Sequence, residues 1–323
     1  MKSIQEGWVV YRSGIITCYV TLPVTAGRSR GKSGDSPVFV VLGASGNTGR
    51  VVAETLLSQN KKVRVVVRDV AKGQVWKEAG ADVSVADVED GAALKRAFSD
   101  TEGAYVLLPP NFSSTQVRAD NNRRTSTIAA AIEDAGVPHV VLLSSIGAQQ
   151  ADGTGPVLGL RDAEAAFTRG RAAATFVRAA YFMENWGGAL FGVAQGVLPS
   201  FLLADKAIPL VATRDIGIAA ARLLAEGGSG KRVIELAGPR EYSPRDVAAA
   251  LARAVGKPIA VQEAPEDAME PALAAAGMNA EWTRLFKELT HGLNTGIVVW
   301  EGGHPLWRAE TDIEAILSAL RGK

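Results

Sequence analysis

The fold of this chain is decided by the stretch Val38-Phe-Val-Val-Leu-Gly43-Ala-Ser-Gly46-Asn-Thr-Gly49-Arg50. Its first five residues form a continuous apolar run, which is typical of a parallel strand buried on both faces. The residues that follow, 51–57, carry apolar side chains at helical spacing. A strand, a glycine-rich turn and a helix in this order predict a dinucleotide-binding unit.

The three glycines of this turn have different physical roles. Gly43 permits the tight turn, Gly46 lets a pyrophosphate approach the backbone, and Gly49 allows the helix to pack closely on the strand. The N-terminus of the helix offers the phosphates free N–H groups and the positive end of the helix dipole. We therefore predict a cofactor-binding turn made of Gly43, Ser45, Gly46, Asn47, Thr48, Gly49 and Arg50.

The next predicted strand, 62–67, is followed by Arg68 and Asp69, at the position that faces the adenosine ribose in such folds. An acid there accepts the ribose 2′-hydroxyl, whereas an arginine suits a 2′-phosphate. Lys72 follows one helical turn later, and Arg50 is within reach of the same corner. Three cations favour NADP(H) over NAD(H), although Asp69 opposes this preference and the cations could instead be solvated surface charges.

Strands continue to alternate with helices along the first half of the chain. We predict strands over 82–87, 103–108 and 138–145, with helices over 90–98 and 114–135. This alternation predicts an α/β fold, with one doubly wound parallel sheet covered on both faces. Ligands bind beyond the carboxyl ends of such strands, which here carry Gly43, Arg68, Asp87, Leu108-Pro109 and Ser144-Ser145.

Several segments together resemble the NmrA-like family of atypical short-chain dehydrogenase/reductases. They are Gly43-x-x-Gly46-x-x-Gly49-Arg50, Val67-Arg68-Asp69, Asp87, Leu107-Leu-Pro-Pro110, Val141-Leu-Leu-Ser-Ser-Ile-Gly147, Arg178-Ala-Ala-Tyr-Phe-Met-Glu-Asn185, Arg214-Asp215-Ile-Gly217 and Leu236-Ala-Gly-Pro239 with Tyr242-Ser243. The resemblance implies a Rossmann fold with a smaller C-terminal α+β substrate lobe. It also implies that Arg68 and Lys72 hold the 2′-phosphate, that Asp87 lies near the adenine, and that Leu108 and Pro109 lie near the nicotinamide ribose.

The chain departs from the wider superfamily in its catalytic residues. Ordinary members use a Tyr-x-x-x-Lys pair, but the stretch after Ser144 and Ser145 that would carry it, 159–167, has neither residue. Arg161 stands where family members carry a lysine. An arginine can orient a ribose but is a poor proton donor. Carbonyl–alcohol chemistry is therefore not expected, whereas hydride transfer to a quinone needs less from the protein because solvent can complete protonation.

The second half of the chain offers candidates for a substrate site. We predict a helix over 181–195 whose Phe182 and Trp186 form an aromatic wall for a flat acceptor, with Asn185 as a polar contact. The alternative is that these aromatic residues are ordinary core. Asp215 is expected to cap a helix, and Ser243-Pro-Arg-Asp246 to begin one. Trp282, Phe286, Trp300 and Trp307 are expected to pack the smaller lobe, and His291 and His304 receive no role.

Residues 1–36 differ in composition from the rest of the chain. An apolar patch at 15–24 is followed by a segment rich in glycine, serine and basic residues, which cannot bury a core. A signal peptide is the alternative, but the patch is interrupted by polar residues and has no A-x-A site. We predict a disordered extension over 1–36, a dinucleotide-binding domain over 37–180 and a smaller substrate lobe over 181–323, which can interleave with the domain before it.

Composition excludes several classes of function. The 323 residues include 35 Lys+Arg and 34 Asp+Glu, a balance unlike the basic footprint of nucleic-acid-binding proteins. The single cysteine, Cys18, and three separated histidines predict no metal site. No apolar run approaches the ~18–20 residues that span a bilayer. We expect a cytoplasmic protein without nucleic-acid or membrane partners.

Two functions follow from these observations. The first is NADPH-dependent reduction of a quinone or a similar flat, small-molecule acceptor. The second is a non-catalytic NADP(H)-binding redox sensor that acts through a protein partner. The resemblance accommodates both, because the family contains quinone reductases and members that bind the dinucleotide without turning it over.

Overall fold

A computed structural model of the protein describes residues 38–321, so the disorder predicted for residues 1–36 lies outside the described residues. The strands are β1 (Val38–Leu42), β2 (Lys62–Val67), β3 (Asp82–Val85), β4 (Thr101–Val106), β5 (His139–Ser145), β6 (Ala173–Ala179), β7 (Tyr181–Phe182), β8 (Val197–Ser200), β9 (Ile208–Val211), β10 (Lys231–Ala237), β11 (Glu241–Tyr242), β12 (Ala260–Glu263) and β13 (Leu306–Arg308).

The α-helices are α1 (Asn47–Ser58), α2 (Gln74–Glu78), α3 (Gly91–Ala97), α4 (Val117–Ala135), α5 (Leu158–Arg169), α6 (Thr213–Glu226), α7 (Pro244–Val255), α8 (Met269–Ala275), α9 (Ala280–Thr295) and α10 (Ile313–Arg321). Short 3₁₀ segments cover Val70–Gly73, Gly155–Val157, Met183–Gln195 and Glu266–Ala268. Among the described residues, none of these helices is long and apolar enough to cross a membrane.

Eight strands form one sheet in the order β13-β10-β6-β5-β4-β1-β2-β3, and every neighbouring pair is parallel. The chain order reverses between β1 and β4, which creates the topological switch point where such sheets bind ligands. The predicted doubly wound, Rossmann-like fold is therefore confirmed.

The two faces of the large sheet are covered by different helices. Alternate residues of each strand point to opposite faces and therefore pack against different helices. Val41 of β1 packs with Leu56 of α1 and Ile216 of α6, all fully buried. The next residue, Leu42, packs on the other face with Ile128 of α4 and Phe167 of α5. Strands covered on both faces explain the continuous apolar runs in the sequence.

The second half of the chain contributes to two bodies of structure. Its small sheets, β11-β9-β7 and β12-β8, enclose a third core around Leu198, Leu210 and Tyr242. Its strands β10 and β13 instead extend the large sheet, and α6 packs against α1. Trp307 lies in β13 and packs on the large-sheet core, so the expectation that it packs the smaller lobe is wrong.

Two helix starts test the predicted capping residues. Ser243 caps α7, where Asp246 completes a reciprocal capping box, as predicted. Asp215 is not the cap of α6, because that helix begins two residues earlier at Thr213. The Asp215 carboxylate instead accepts a hydrogen bond from the Thr311 hydroxyl at 2.8 Å. The predicted helix over 181–195 is a short strand followed by 3₁₀ turns.

Candidate functional site

The glycine turn between β1 and α1 has the backbone that its sequence predicts. Gly43 has φ +69°, a left-handed conformation that favours glycine, and a Cβ there would lie 2.8 Å from the Leu107 side chain. A Cβ on Gly49 would lie 2.4 Å from the Gly43 carbonyl oxygen. The N-cap Gly46 has no side chain to satisfy the first amides of α1. These amides are therefore available to an anion.

The cations predicted near the ribose lie on the surface at the end of β2. Arg68 and Lys72 are exposed, and neither has an ion-pair partner within residues 38–321. Arg50 is exposed on α1, with Nε 3.9 Å from Glu54 Oε1. The competing carboxylate of Asp69 accepts a hydrogen bond from the Ala71 amide at 2.9 Å and caps the 3₁₀ turn beside it. That local hydrogen bond gives Asp69 a structural role beside Arg68 and Lys72.

The remaining predicted cofactor contacts follow β3 and β4. Asp87 is exposed two residues beyond β3, and its Oδ1 accepts a hydrogen bond from the Glu89 amide at 2.9 Å. Leu108 and Pro109 lie just beyond β4 and line a cavity. The carboxyl ends of β1 to β4 therefore carry the residues expected from the sequence.

That cavity, of about 510 Å³, lies beyond the carboxyl ends of β1, β4 and β5, at the switch point. Its lining is largely apolar, as is typical of sites for flat organic ligands. It is lined by Gly43, Ser45, Gly46, Asn47, Thr48, Leu107, Leu108, Pro109, Pro110, Phe112, Asn121, Leu143, Ser144, Ser145, Pro156, Val157, Leu160, Phe182, Thr213, Trp282 and Phe286.

An aromatic cluster of Phe112, Trp282 and Phe286 forms one wall of this cavity. The ring centroid of Trp282 lies 4.9 Å from the ring centroid of Phe112 and 5.4 Å from that of Phe286. The indole Nε1 donates to the Asn111 carbonyl oxygen at 2.9 Å, which fixes the Trp282 ring. Two members come from α9 and one from the loop after β4. Trp282 and Phe286 therefore line the cavity, a role that the sequence interpretation had not given them.

A buried ion pair stands behind Ser144 at the end of β5. Arg178 Nε and Nη2 donate to the two Glu164 carboxylate oxygens at 2.9 and 2.7 Å, and Nη1 donates to Glu301 Oε2 at 2.5 Å. Burial opposes the Arg178 charge, but the hydrogen bonds and charges of both glutamates outweigh it and raise its pKa. The Ser144 hydroxyl donates to Glu164 Oε1 at 2.5 Å. Glu164 was not predicted as a site residue, because its pairing with Arg178 depends on the tertiary fold.

The substrate candidates of the second half are separated by the fold. Phe182 lines the cavity. Trp186 is buried in the core of the smaller lobe, and Asn185 is exposed, with its side chain hydrogen-bonded to Tyr181. Burial raises the pKa of the Tyr181 hydroxyl, and the Asn185 hydrogen bond partly offsets this. The cavity lining in the described range includes Phe182 but neither Trp186 nor Asn185.

Arg161, predicted beside the cofactor, follows the cavity-lining Leu160 on α5. It is half-buried and is not part of the cavity lining within residues 38–321. Glu184, in the Phe-Met-Glu-Asn segment, lies behind the wall: it accepts from the Thr213 hydroxyl at 2.6 Å and from the Thr213 amide at 3.0 Å. Glu184 thus caps α6 and holds Thr213 at the cavity.

The model of the NmrA-like family matches residues 36–293 of this chain. An NAD(P)H azoreductase of Xenophilus azovorans is 24% identical over 255 residues, which cover 78% of this chain and 86% of the relative. Quinone oxidoreductase 2 of Escherichia coli strain K12 is 29% identical over 248 residues, which cover 75% of this chain and 82% of the relative.

Two solved structures share the fold. The NADPH-dependent quinone oxidoreductase QOR2 from Escherichia coli, complexed with NADPH, superposes with a TM-score of 0.75 at 24% identity, over 88% of this chain and 99% of that one. Nmra, a negative transcriptional regulator in complex with NAD, superposes with a TM-score of 0.69 at 15% identity, over 89% of this chain and 98% of that one.

Proposed function

We propose, from the premise that this chain belongs to the NmrA-like family, that it binds NADPH and reduces a quinone or a similar flat, conjugated acceptor. The observation that carries this proposal is one continuous cavity that joins the glycine turn to the aromatic wall of Phe112, Trp282 and Phe286. A dinucleotide site at one end and a stacking surface at the other suit hydride transfer between two flat rings.

The residues of the glycine turn fit a dinucleotide. Gly46 offers a backbone without a side chain, and the first amides of α1 are free of side-chain caps. Arg68 and Lys72 supply uncommitted positive charge for a 2′-phosphate, and this supports NADPH over NADH. When bound, the reduced nicotinamide supplies the hydride; the protein binds, orients and shields the reacting groups.

The acceptor end of the cavity fits a flat, apolar ring system. Trp282 is fixed by its hydrogen bond to Asn111, and Phe112 and Phe286 flank it. A rigid aromatic surface binds a planar ligand at little entropic cost. The relatives named NAD(P)H azoreductase and quinone oxidoreductase 2 support conjugated acceptors as the substrate class.

The second candidate function is the redox sensor, which the fold shared with a negative transcriptional regulator favours. A sensor needs the cofactor site but no acceptor site. The aromatic wall therefore favours the reductase, because a sensor has no use for a stacking surface beside the dinucleotide.

Loss of NADPH absorbance in the presence of a quinone panel tests the proposal. We expect turnover by the wild type and, for Trp282→Leu, a KM for quinone raised about fivefold with an unchanged Kd for NADPH, because one stacking contact is worth about 1 kcal/mol. Trp307→Leu is the control, because that ring packs on the large sheet. Tight NADPH binding without oxidation by any acceptor would refute the reductase and favour the sensor.

A further inference from the structure

The side chains at the acceptor end of the cavity differ in whether their hydrogen-bond donors are free. Outside the glycine turn, the polar side chains that line it within residues 38–321 belong to Asn121, Ser144, Ser145, Thr213 and Trp282. A ligand oxygen that gains negative charge is stabilised by a hydrogen-bond donor of the protein and not by a hydrogen-bond acceptor. The partners of these five side chains therefore decide what chemistry this end supports.

Four of the five donors are already committed within the protein. Ser144 donates to Glu164 Oε1 at 2.5 Å, and Ser145 donates to the Ile146 carbonyl at 3.1 Å. Thr213 donates to Glu184 Oε1 at 2.6 Å. The Trp282 indole donates to the Asn111 carbonyl at 2.9 Å. Because a serine or threonine hydroxyl has one hydrogen, these three hydroxyls offer the cavity only lone pairs.

The carboxylate that accepts the Ser144 hydrogen bond belongs to Glu164, which is itself held by a buried arginine. Glu164 is 8% exposed and is paired through both oxygens with Arg178, which is 5% exposed. In this bidentate pair both Glu164 carboxylate oxygens accept hydrogen bonds from the Arg178 guanidinium. The Ser144 hydroxyl therefore directs its hydrogen to Glu164 and not into the cavity.

Asn121 is the fifth of these polar side chains in the described part of the chain. It lies in the second turn of α4, and its amide has no hydrogen-bond partner among the described residues. Gly159 of α5 makes room for it, since a Cβ there would lie 2.9 Å from Asn121 Nδ2. The amide is half-buried, faces the cavity and keeps two N–H donors.

We propose that Asn121 is a catalytic residue that donates a hydrogen bond to the acceptor oxygen on which negative charge develops; this rests on the reductase proposed above. The acceptor gains one hydride, which carries both electrons, and one proton, and NADPH is oxidised to NADP⁺. The acceptor oxygen becomes an anion, is stabilised by the Asn121 N–H, and takes its proton from solvent. Ser144, Ser145 and Thr213 accept hydrogen bonds from the ligands instead.

The test compares Asn121→Ala with Asn122→Ala, its neighbour on α4, whose amide is exposed and donates to Asp162. Two acceptors are used: 1,4-naphthoquinone, which develops an anionic oxygen, and a cationic triarylmethane dye, which gains hydride at carbon and becomes neutral. We expect Asn121→Ala to lower kcat/KM for the quinone by about 10²-fold, the usual effect of removing one such donor, with a much smaller change for the dye. Gly159→Ala, which displaces the amide, should show the same selectivity.

A second readout does not depend on turnover. Quenching of tryptophan fluorescence reports binding of naphthoquinone to protein loaded with NADP⁺, and a separate titration gives the Kd for NADPH. We expect Asn121→Ala to weaken quinone binding and to match Asn122→Ala in NADPH affinity and melting temperature. Equal losses on quinone and dye, weakened NADPH binding, or unchanged quinone binding and turnover would each overturn the role of Asn121. A wild type inactive on every acceptor would instead refute the reductase, and quinone binding would then decide the Asn121 contact alone.

Discussion

The two ends of the cavity are built in different ways. At the glycine-turn end, the chain provides its contacts from one continuous segment, residues 43–48, which begins with Gly43 in a left-handed conformation. At the acceptor end, the contacts come from the loop after β4 and from α4, β5, α5, α6 and α9. The first end depends on backbone shape, and the second on side chains that are held by partners outside the cavity.

This difference separates binding from chemistry. A backbone site built on a helix N-terminus suits any dinucleotide phosphate and says little about the reaction. The acceptor end selects by the stacking surface around Trp282 and by the direction of each hydrogen bond. Substitutions at one end should therefore leave the affinity for the ligand of the other end largely unchanged.

The largest effect is expected from the ion pair behind the acceptor end. Glu164→Leu removes the carboxylate that accepts two hydrogen bonds from the buried Arg178 and should lower the free energy of unfolding by about 3 kcal/mol, because the buried guanidinium keeps only Glu301 as a partner. Asp162→Ala, two residues earlier on α5, removes a pair with the half-exposed Arg118 and should lower it by less than about 1 kcal/mol. Urea denaturation followed by circular dichroism measures both; equal losses would contradict the difference in burial.

His139, the first residue of β5, should make the free energy of unfolding depend on pH. Burial, followed by the nearby Arg232 charge, lowers the pKa of His139 to about 4. In the unfolded chain this imidazole has a pKa of about 6.5 and binds a proton first. The stabilisation is therefore complete above pH ~6.5, falls as the pH drops toward ~4, and amounts to about 3 kcal/mol.

Urea denaturation across that pH range measures the His139 effect. His139→Gln should remove most of the pH dependence, whereas His291→Gln, at an exposed site on α9, should keep it. A wild-type stability that stays constant between pH 6.5 and 4 would show that His139 is not held neutral in the fold.

Two substitutions in the glycine turn should separate folding from cofactor binding. Gly49→Ala forces a Cβ to 2.4 Å from the Gly43 carbonyl and should cost about 1–3 kcal/mol of stability as well as NADPH binding. Gly46→Ala places its Cβ 3.4 Å from the nearest atom, so the variant should fold normally yet bind NADPH poorly, because the methyl group occupies space that a pyrophosphate needs. Thermal melts and NADPH titration distinguish them; strong NADPH binding by Gly46→Ala would place the phosphates elsewhere.

The smallest effect concerns cofactor choice. Arg68→Glu should weaken NADPH about tenfold or more, ~1.4 kcal/mol, and affect NADH much less, because only NADPH carries the 2′-phosphate. Lys77→Glu, an exposed site on α2, controls for the change in net charge. Fluorescence titration with both cofactors measures the change, and an unaltered NADPH affinity would disprove the role of Arg68.

The sequence predicts the glycine-turn end well because its geometry is local. Gly43, Gly46 and Gly49 lie within one turn, and the flanking strand and helix have distinct apolar periodicities. The capping box at Ser243 is predictable for the same reason. The sequence assigns the cap of α6 wrongly to Asp215, because the capping carboxylate is that of Glu184, which lies 29 positions before Thr213 in the chain.

The acceptor end could not be predicted because its residues meet only in the folded chain. Trp282 is fixed by Asn111, 171 positions away. Local spacing placed Phe182 and Trp186 on one helical face, but the segment forms a short strand and 3₁₀ turns, so Trp186 enters the core. Asn121 has no motif of its own, and its importance appears only once the donors of Ser144, Ser145 and Thr213 are seen to be committed.

The most direct test of the account is a single-turnover reaction of the NADPH-loaded protein with 1,4-naphthoquinone, repeated with NADPH that carries deuterium at C4. We predict that NADPH is oxidised and that the rate falls on deuteration, because the hydride passes directly between two rings in one cavity. Protein that binds NADPH tightly but leaves it unoxidised in the presence of quinone would contradict the account.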